Sequence, residues 1–151
     1  MKNPHFLIVD DNETARKATA RLVEHCTGCP VECCGSGEEA LRIFAVGPDE
    51  FACVVTDLEM PGMDGLELAS RLQAVAPEVK MLLVTGSPGV LDGTEIRGRG
   101  FECMLAKPFD LATIREALGR VLPLPHNPPL RPQGNAASFF QRPGGILHAA
   151  A

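Results

Sequence analysis

The sequence predicts an α/β domain built on a parallel sheet with helices on both faces. Three observations carry this. Phe6-Leu7-Ile8-Val9, Phe51 to Thr56 and Met81 to Val84 are short apolar runs. Consecutive apolar residues leave no solvent-facing side, as in strands buried on both faces. Short apolar runs alternate with amphipathic stretches, and the strand–helix alternation repeats five times along the chain. Strand–helix repetition of this kind is the signature of a parallel sheet.

Bulk properties narrow the class. The 151 residues are 45% hydrophobic and 22% charged, with a net charge of −5. That length suffices for one domain with a full core and some excess. The acid lies early, and no Asp or Glu follows Glu116. An acidic body without a basic stripe disfavours nucleic-acid binding. The first apolar run ends in charge after four residues, too short for a secretory signal. No window reaches the roughly 18 apolar residues of a membrane span. We expect a cytoplasmic protein with no membrane partner.

The elements follow in order. After the first strand, Ala15, Ala18, Leu22 and Cys26 recur at the spacing of a first helix, and Val31 to Cys34 form a second strand. Ser36-Gly37-Glu38-Glu39 has capping-box spacing and opens a helix with Ala40, Leu41 and Phe44 inward. The third strand, from Phe51, is ended by Asp57, and Met60-Pro61-Gly62-Met63 is a loop. Asp64 and Glu67 repeat the capping spacing before a helix carrying Leu66, Ala69, Leu72 and Val75. The fourth strand, Met81 to Val84, is ended by Thr85. Gly86, Gly89, Gly93, Gly98 and Gly100 puncture the next helix. Each interior glycine costs about 1 kcal/mol relative to alanine, so that helix should be short, frayed or mobile. Phe101 to Leu105 read as a fifth strand ended by Lys107-Pro108, and Asp110 caps a last helix with Leu111, Ile114, Leu118 and Val121 on one face. Beyond Leu122 come Pro123, Pro125, Pro128, Pro129, Pro132 and Pro143, a composition that does not sustain helix or sheet. The expected division is a domain over 1–124 and a flexible Pro/Gly-rich tail over 125–151.

Four strand ends carry polar groups: Asp10-Asp11, Asp57, Thr85 and Lys107. The carboxyl ends of the strands form the site-bearing edge of an open parallel sheet. Three carboxylates converging there repel one another, which a divalent cation relieves. Oxygen ligands without His or Cys favour a hard ion such as Mg²⁺. An ionised Asp beside such an ion, with an ammonium and a hydroxyl opposite, suits attack on phosphorus without a general base.

Asp10-Asp11, Asp57 followed by Met60-Pro61-Gly62-Met63-Asp64-Gly65, Thr85-Gly86, and Lys107-Pro108-Phe109 stand in an order and spacing that resembles a known family. It is the receiver domain of bacterial two-component response regulators, in its single-domain, chemotaxis-regulator-like form, and the match covers about residues 4 to 122. The resemblance implies a flavodoxin-like, doubly wound five-stranded parallel sheet of order 2-1-3-4-5. It implies that Asp57 accepts the phosphoryl group and that Asp10, Asp11, Asp57 and the backbone carbonyl of Glu59 hold Mg²⁺. Thr85 would bond the phosphoryl group and move with it, and Lys107 would pair with it. The Lys107-Pro108 bond is often cis in this family. The phosphodonor would be a sensor histidine kinase or a histidine phosphotransfer protein. With no output domain in the residual tail, the signal would pass by protein–protein contact, and the chain reads as a signalling module and not an enzyme.

Some features depart from the family pattern. Met104 stands where such receivers usually carry Tyr or Phe, and Phe101 is expected in the core. Together with the irregular fourth helix, this keeps open an alternative, a receiver-fold interaction module that works without phosphorylation. Glu59, two residues beyond Asp57, reads either as a charge that tunes dephosphorylation or as an exposed loop residue. It also prompts a third reading, a phosphatase using Asp57 as nucleophile, although no substrate-binding insertion is visible. Cys26-x-x-Cys29 invites a zinc or redox reading. Cys33 and Cys34 should point to opposite faces of a strand, which spoils a four-thiolate site and favours structural cysteines. Arg131, Arg142 and the Phe139-Phe140 pair read either as a segment of the tail that docks on its own domain or a partner, or as part of a solvated extension.

Overall fold

Among the described residues of the computed structural model, 4–122 and 146–147, strands and helices alternate as the hydrophobic pattern requires. Strands β1 (His5–Val9), β2 (Val31–Cys34), β3 (Phe51–Asp57), β4 (Lys80–Thr85) and β5 (Cys103–Ala106) pair in parallel in the order β2-β1-β3-β4-β5. The connecting helices are α1 (Glu13–Thr27), α2 (Gly37–Val46), α3 (Gly65–Val75), α4 (Gly93–Gly98) and α5 (Leu111–Gly119). None is long and apolar enough to cross a membrane.

Successive strand side chains point to opposite faces, so one sheet supplies two cores. Leu7, Val9, Val54, Met81, Leu83 and Met104 pack against Ala40 and Phe44 of α2, Leu68 and Leu72 of α3 and Ile96 of α4. Phe6, Ile8, Val55, Leu82, Val84 and Leu105 pack on the other face against Val23 of α1 and Ile114 and Leu118 of α5. Phe101 is buried in the first core, as expected, and β5 begins two residues beyond it.

Helix starts are fixed by short polar side chains. Ser36, Asp64 and Asp110 accept the backbone N–H of Glu39, Glu67 and Thr113, and Asn12 and Asp92 cap α1 and α4 in the same way. Each such cap contributes about 1 kcal/mol. The Glu39 carboxylate reaches back to the N–H of Gly35, one residue beyond the partner a capping box would use. At the glycine-punctured position α4 is only six residues long.

Three readings of the chain need correction. The buried stripe of α1 is Thr19, Ala20, Val23 and Cys26, while Ala18 is exposed. The helix is turned so that Ala15, Ala18 and Leu22 border a groove with Pro108 and Phe109. Val75, expected inward, is 68% exposed, because it is the last residue of α3 and the buried face there ends at Leu72. A two-residue strand, β6 (Ile146–Leu147), pairs in parallel with β5 where no strand was expected. Most of the tail assigned to 125–151, with Arg131, Arg142 and Phe139-Phe140, lies outside the described residues.

One glycine holds the third strand against its helix. The Gly65 N–H donates to the Leu58 carbonyl, and a Cβ at Gly65 would collide with the backbone carbonyl of Asp57. Gly65→Ala should therefore destabilise the domain by about 1–3 kcal/mol, the usual cost of overpacking. Urea unfolding measures this; an unchanged midpoint would show that α3 is free to shift away from β3.

Candidate functional site

The site lies where the carboxyl ends of β1, β3, β4 and β5 meet. Asp10 follows β1, Asp57 is the last residue of β3, Thr85 the last of β4, and Lys107 follows β5. The apolar strands bury these ends, so Asp10 and Asp57 are only 4% and 8% exposed. Asp11 is exposed. One carboxylate oxygen from each of Asp10, Asp11 and Asp57 falls in a group spanning no more than 4.8 Å, the one such acidic, His or Cys group among the described residues. Asn12, not Asp11, caps α1, which leaves the Asp11 carboxylate outside the cap.

Lys107 supplies the compensating charge. Its ammonium donates to Asp10 Oδ2 at 2.9 Å and to Asp57 Oδ2 at 3.2 Å. Its backbone N–H donates to the Thr85 carbonyl at 2.8 Å, which ties β5 to the end of β4, and the Lys107-Pro108 bond is cis. Thr85 is wholly buried, and its hydroxyl oxygen accepts the Ser87 N–H. The Glu59 carboxylate stands outside the acidic group; the residue is exposed and lines a cavity of about 630 Å³ with Leu58, Met60, Leu66, Val90 and Leu91.

Electrostatics at the site are uneven. Burial raises the pKa of Asp57; Lys107 opposes this and Asp10 adds to it. Asp57 shares its one ammonium with Asp10, so the pairing does not offset its desolvation. Lys107 is itself held above the ordinary lysine range: burial works against the charge, but two carboxylates outweigh it. The site thus keeps a lysine cation and carries more buried negative charge than that cation neutralises. Its donors are all oxygens, with neither thiolate nor imidazole, a set that fits a hard divalent ion.

Two supporting residues had no visible signal in the sequence. The Arg16 guanidinium donates to the Asp10 carbonyl at 2.9 Å, holding the end of β1 from within α1. The Thr56 hydroxyl donates to the Asp57 carbonyl at 2.9 Å. The cysteines form no such constellation. Cys26 is buried between α1 and the sheet, the Cys29 thiol donates to the Thr27 carbonyl, and all six are free. Cys33 is exposed and Cys34 buried, on opposite faces as expected. Burial pushes the thiols of Cys34 and Cys103 up to about 12 and that of Cys53 up likewise, so these three stay protonated.

The raised pKa of Asp57 has a definite sign for stability. Its protonated form favours folding; that contribution is complete below the unfolded carboxylate range and is lost as pH rises through the higher folded value. At neutral pH the ionised side chain therefore opposes folding. In metal-free protein Asp57→Asn should raise the Tm at neutral pH, with the gain shrinking toward acid pH. Thermal melts across pH measure it, and a variant less stable than the parent at pH 7 would contradict the account.

Comparison with known proteins identifies the family. The family model for the response regulator receiver domain matches residues 6–119. The chain is 33% identical over 128 residues to sporulation initiation phosphotransferase F of Bacillus subtilis, covering 84% of this chain and all of that protein. It is 34% identical over 106 residues to the C4-dicarboxylate transport transcriptional regulatory protein DctD of Rhizobium meliloti, covering 70% of this chain but only 22% of the relative. Chemotaxis protein CheY4 of Vibrio cholerae superposes with a TM-score of 0.70 at 26% identity, over 80% of this chain and 99% of that one. The chain belongs to the response regulator receiver domain family, the phosphate-accepting module of two-component signal transduction.

Proposed function

We propose that this receiver is phosphorylated on Asp57 and that Asp10, Asp11 and Asp57, with the backbone carbonyl of Glu59, hold Mg²⁺. The observation that carries the reading is the convergence of three carboxylates at the strand ends, two of them paired with one ammonium. A bound divalent ion would supply positive charge against the phosphoryl oxygens. Asp57 is the nucleophile: one of its carboxylate oxygens forms the bond to phosphorus as the bond to the donor nitrogen or oxygen breaks. No base is required, because the carboxylate attacks in its ionised form. Lys107 keeps its proton and its charge, and it can exchange a carboxylate contact for one to the transferred group. Thr85, at the end of the neighbouring strand, offers a hydroxyl to the same group.

The donor on this reading is a histidine kinase or a histidine phosphotransfer protein. An apolar groove of about 430 Å³ runs from Ala15, Ala18 and Leu22 of α1 to Lys107, Pro108 and Phe109. It shares Lys107 with the acidic site, so a helix presenting a phosphohistidine can rest there with its phosphoryl group at Asp57. Output passes by protein contact through the surface around residues 86–122. Met104 is fully buried beside Leu83, Ile96 and Phe101, so any conformational signal through β5 runs by repacking of a flexible thioether.

Incubation with Mg²⁺ and a small phosphodonor should add one phosphoryl group to the intact protein by mass spectrometry. Asp57→Asn should abolish the gain. Lys107→Met should slow it at least tenfold, since a charge-assisted contact in a dry site contributes several kcal/mol. A protein that stays unmodified, or that is modified equally after Asp57→Asn, would refute phosphorylation at this residue. Partner affinity that is the same with and without beryllofluoride would favour a phosphorylation-independent interaction module.

A further inference from the structure

We propose that Arg16 is a positioning residue for the divalent ion: it holds the carbonyls on either side of Asp11 and so sets metal affinity through that carboxylate. The inference rests on the Mg²⁺ reading above and adds to it a residue outside the donor set.

Asp11 is placed by its backbone. Its side chain is exposed and forms no hydrogen bond or ion pair among the described residues. Yet one of its carboxylate oxygens lies within the acidic group. Asp10, by contrast, is held at every polar group. Its N–H donates to the Cys34 carbonyl, its Oδ1 accepts the Asn12 N–H and its Oδ2 accepts the Lys107 ammonium. Its carbonyl, which begins the peptide bond to Asp11, accepts Arg16 Nη1 at 2.9 Å. The backbone N–H of Arg16 donates to the Asn12 carbonyl, also at 2.9 Å. One residue of α1 therefore grips the chain just before Asp11 and just after it. A side chain with no bond of its own takes its starting direction from φ and ψ, the soft rotations of the backbone. Arg16 restricts both.

The packing leaves room for this grip. Arg16 is half-buried, and Gly35, just beyond β2, faces it: a Cβ there would lie 3.3 Å from Arg16 Nη1. A larger residue at Gly35 would press on the guanidinium that reaches the Asp10 carbonyl.

The sign of the effect separates positioning from simple charge. A guanidinium near an acidic site repels a bound cation, so by charge alone its removal would tighten divalent-ion binding. Loss of a positioning contact acts the other way. Outer partners that orient metal ligands contribute about 10–100-fold in affinity.

Mn²⁺ binding to the full chain, followed by the paramagnetic resonance signal of the free ion, tests the proposal. Arg16→Met keeps the stem and removes the donors, and it should weaken binding about tenfold. The Mg²⁺ concentration that half-saturates phosphorylation should rise by the same factor. Arg16→Lys keeps a charged donor and should recover part of the loss. Thermal melts of the metal-free variants show that each is folded. Arg16→Met that binds Mn²⁺ as tightly as the parent, or more tightly, would overturn the proposal. Arg16→Lys no better than Arg16→Met would overturn it as well. A parent that binds no Mn²⁺ would overturn the metal reading itself, and this inference with it.

Discussion

The structure depends on one electrostatic constraint: two carboxylates are carried into the protein on neighbouring strands and share a single ammonium. Parallel strands are apolar on both faces, so a carboxylate placed at a strand end lies against a dry interior. Asp10 and Asp57 are buried by that rule and not by their own preference. Lys107 reaches both, and the ion pairs at 2.9 and 3.2 Å keep the strand ends together. The compensation is incomplete, as the upward shift of Asp57 indicates. A site left with excess buried negative charge favours cations and disfavours its own ground state. With that imbalance, a change of charge at Asp57 can redistribute the contacts of Lys107 and, through its backbone bond to Thr85, reach the end of β4.

Around that constraint the fold acts as a positioning device. Gly65 lets α3 begin against the Asp57 carbonyl, and Arg16 reaches back from α1 to the Asp10 carbonyl. Thr56 bonds the carbonyl of its neighbour. None of these groups joins the acidic cluster, yet each restricts where a carboxylate at the cluster can sit. A site whose members come from strands 1, 3, 4 and 5 is held by the whole sheet.

Much of this was legible in the chain. Unbroken runs such as Phe6-Leu7-Ile8-Val9 allow only doubly buried strands, and capping spacings at Ser36 and Asp64 marked helix starts to the residue. The site residues could be placed on one edge because each follows a strand, and parallel strands end on the same side. Helix orientation was less readable. In α1 the small apolar residues Ala15 and Ala18 look inward by periodicity, but burial of Val23 and Cys26 against the sheet turns them toward the Pro108-Phe109 groove. Periodicity reports an apolar stripe and not which part of it meets the sheet. Arg16 carries no local pattern at all, since its partner is a backbone carbonyl. A two-residue strand after Gly144-Gly145 is too short to show a period, so β6 left no trace.

Carboxylate-resolved NMR titration of the metal-free protein tests the central claim most directly. Asp57 should titrate above the ordinary aspartate range, and Lys107→Met should raise its midpoint further, because the one ammonium that opposes desolvation is gone. An Asp57 that titrates at or below the ordinary range, unmoved by loss of Lys107, would contradict the idea that this lysine balances a buried acidic pair.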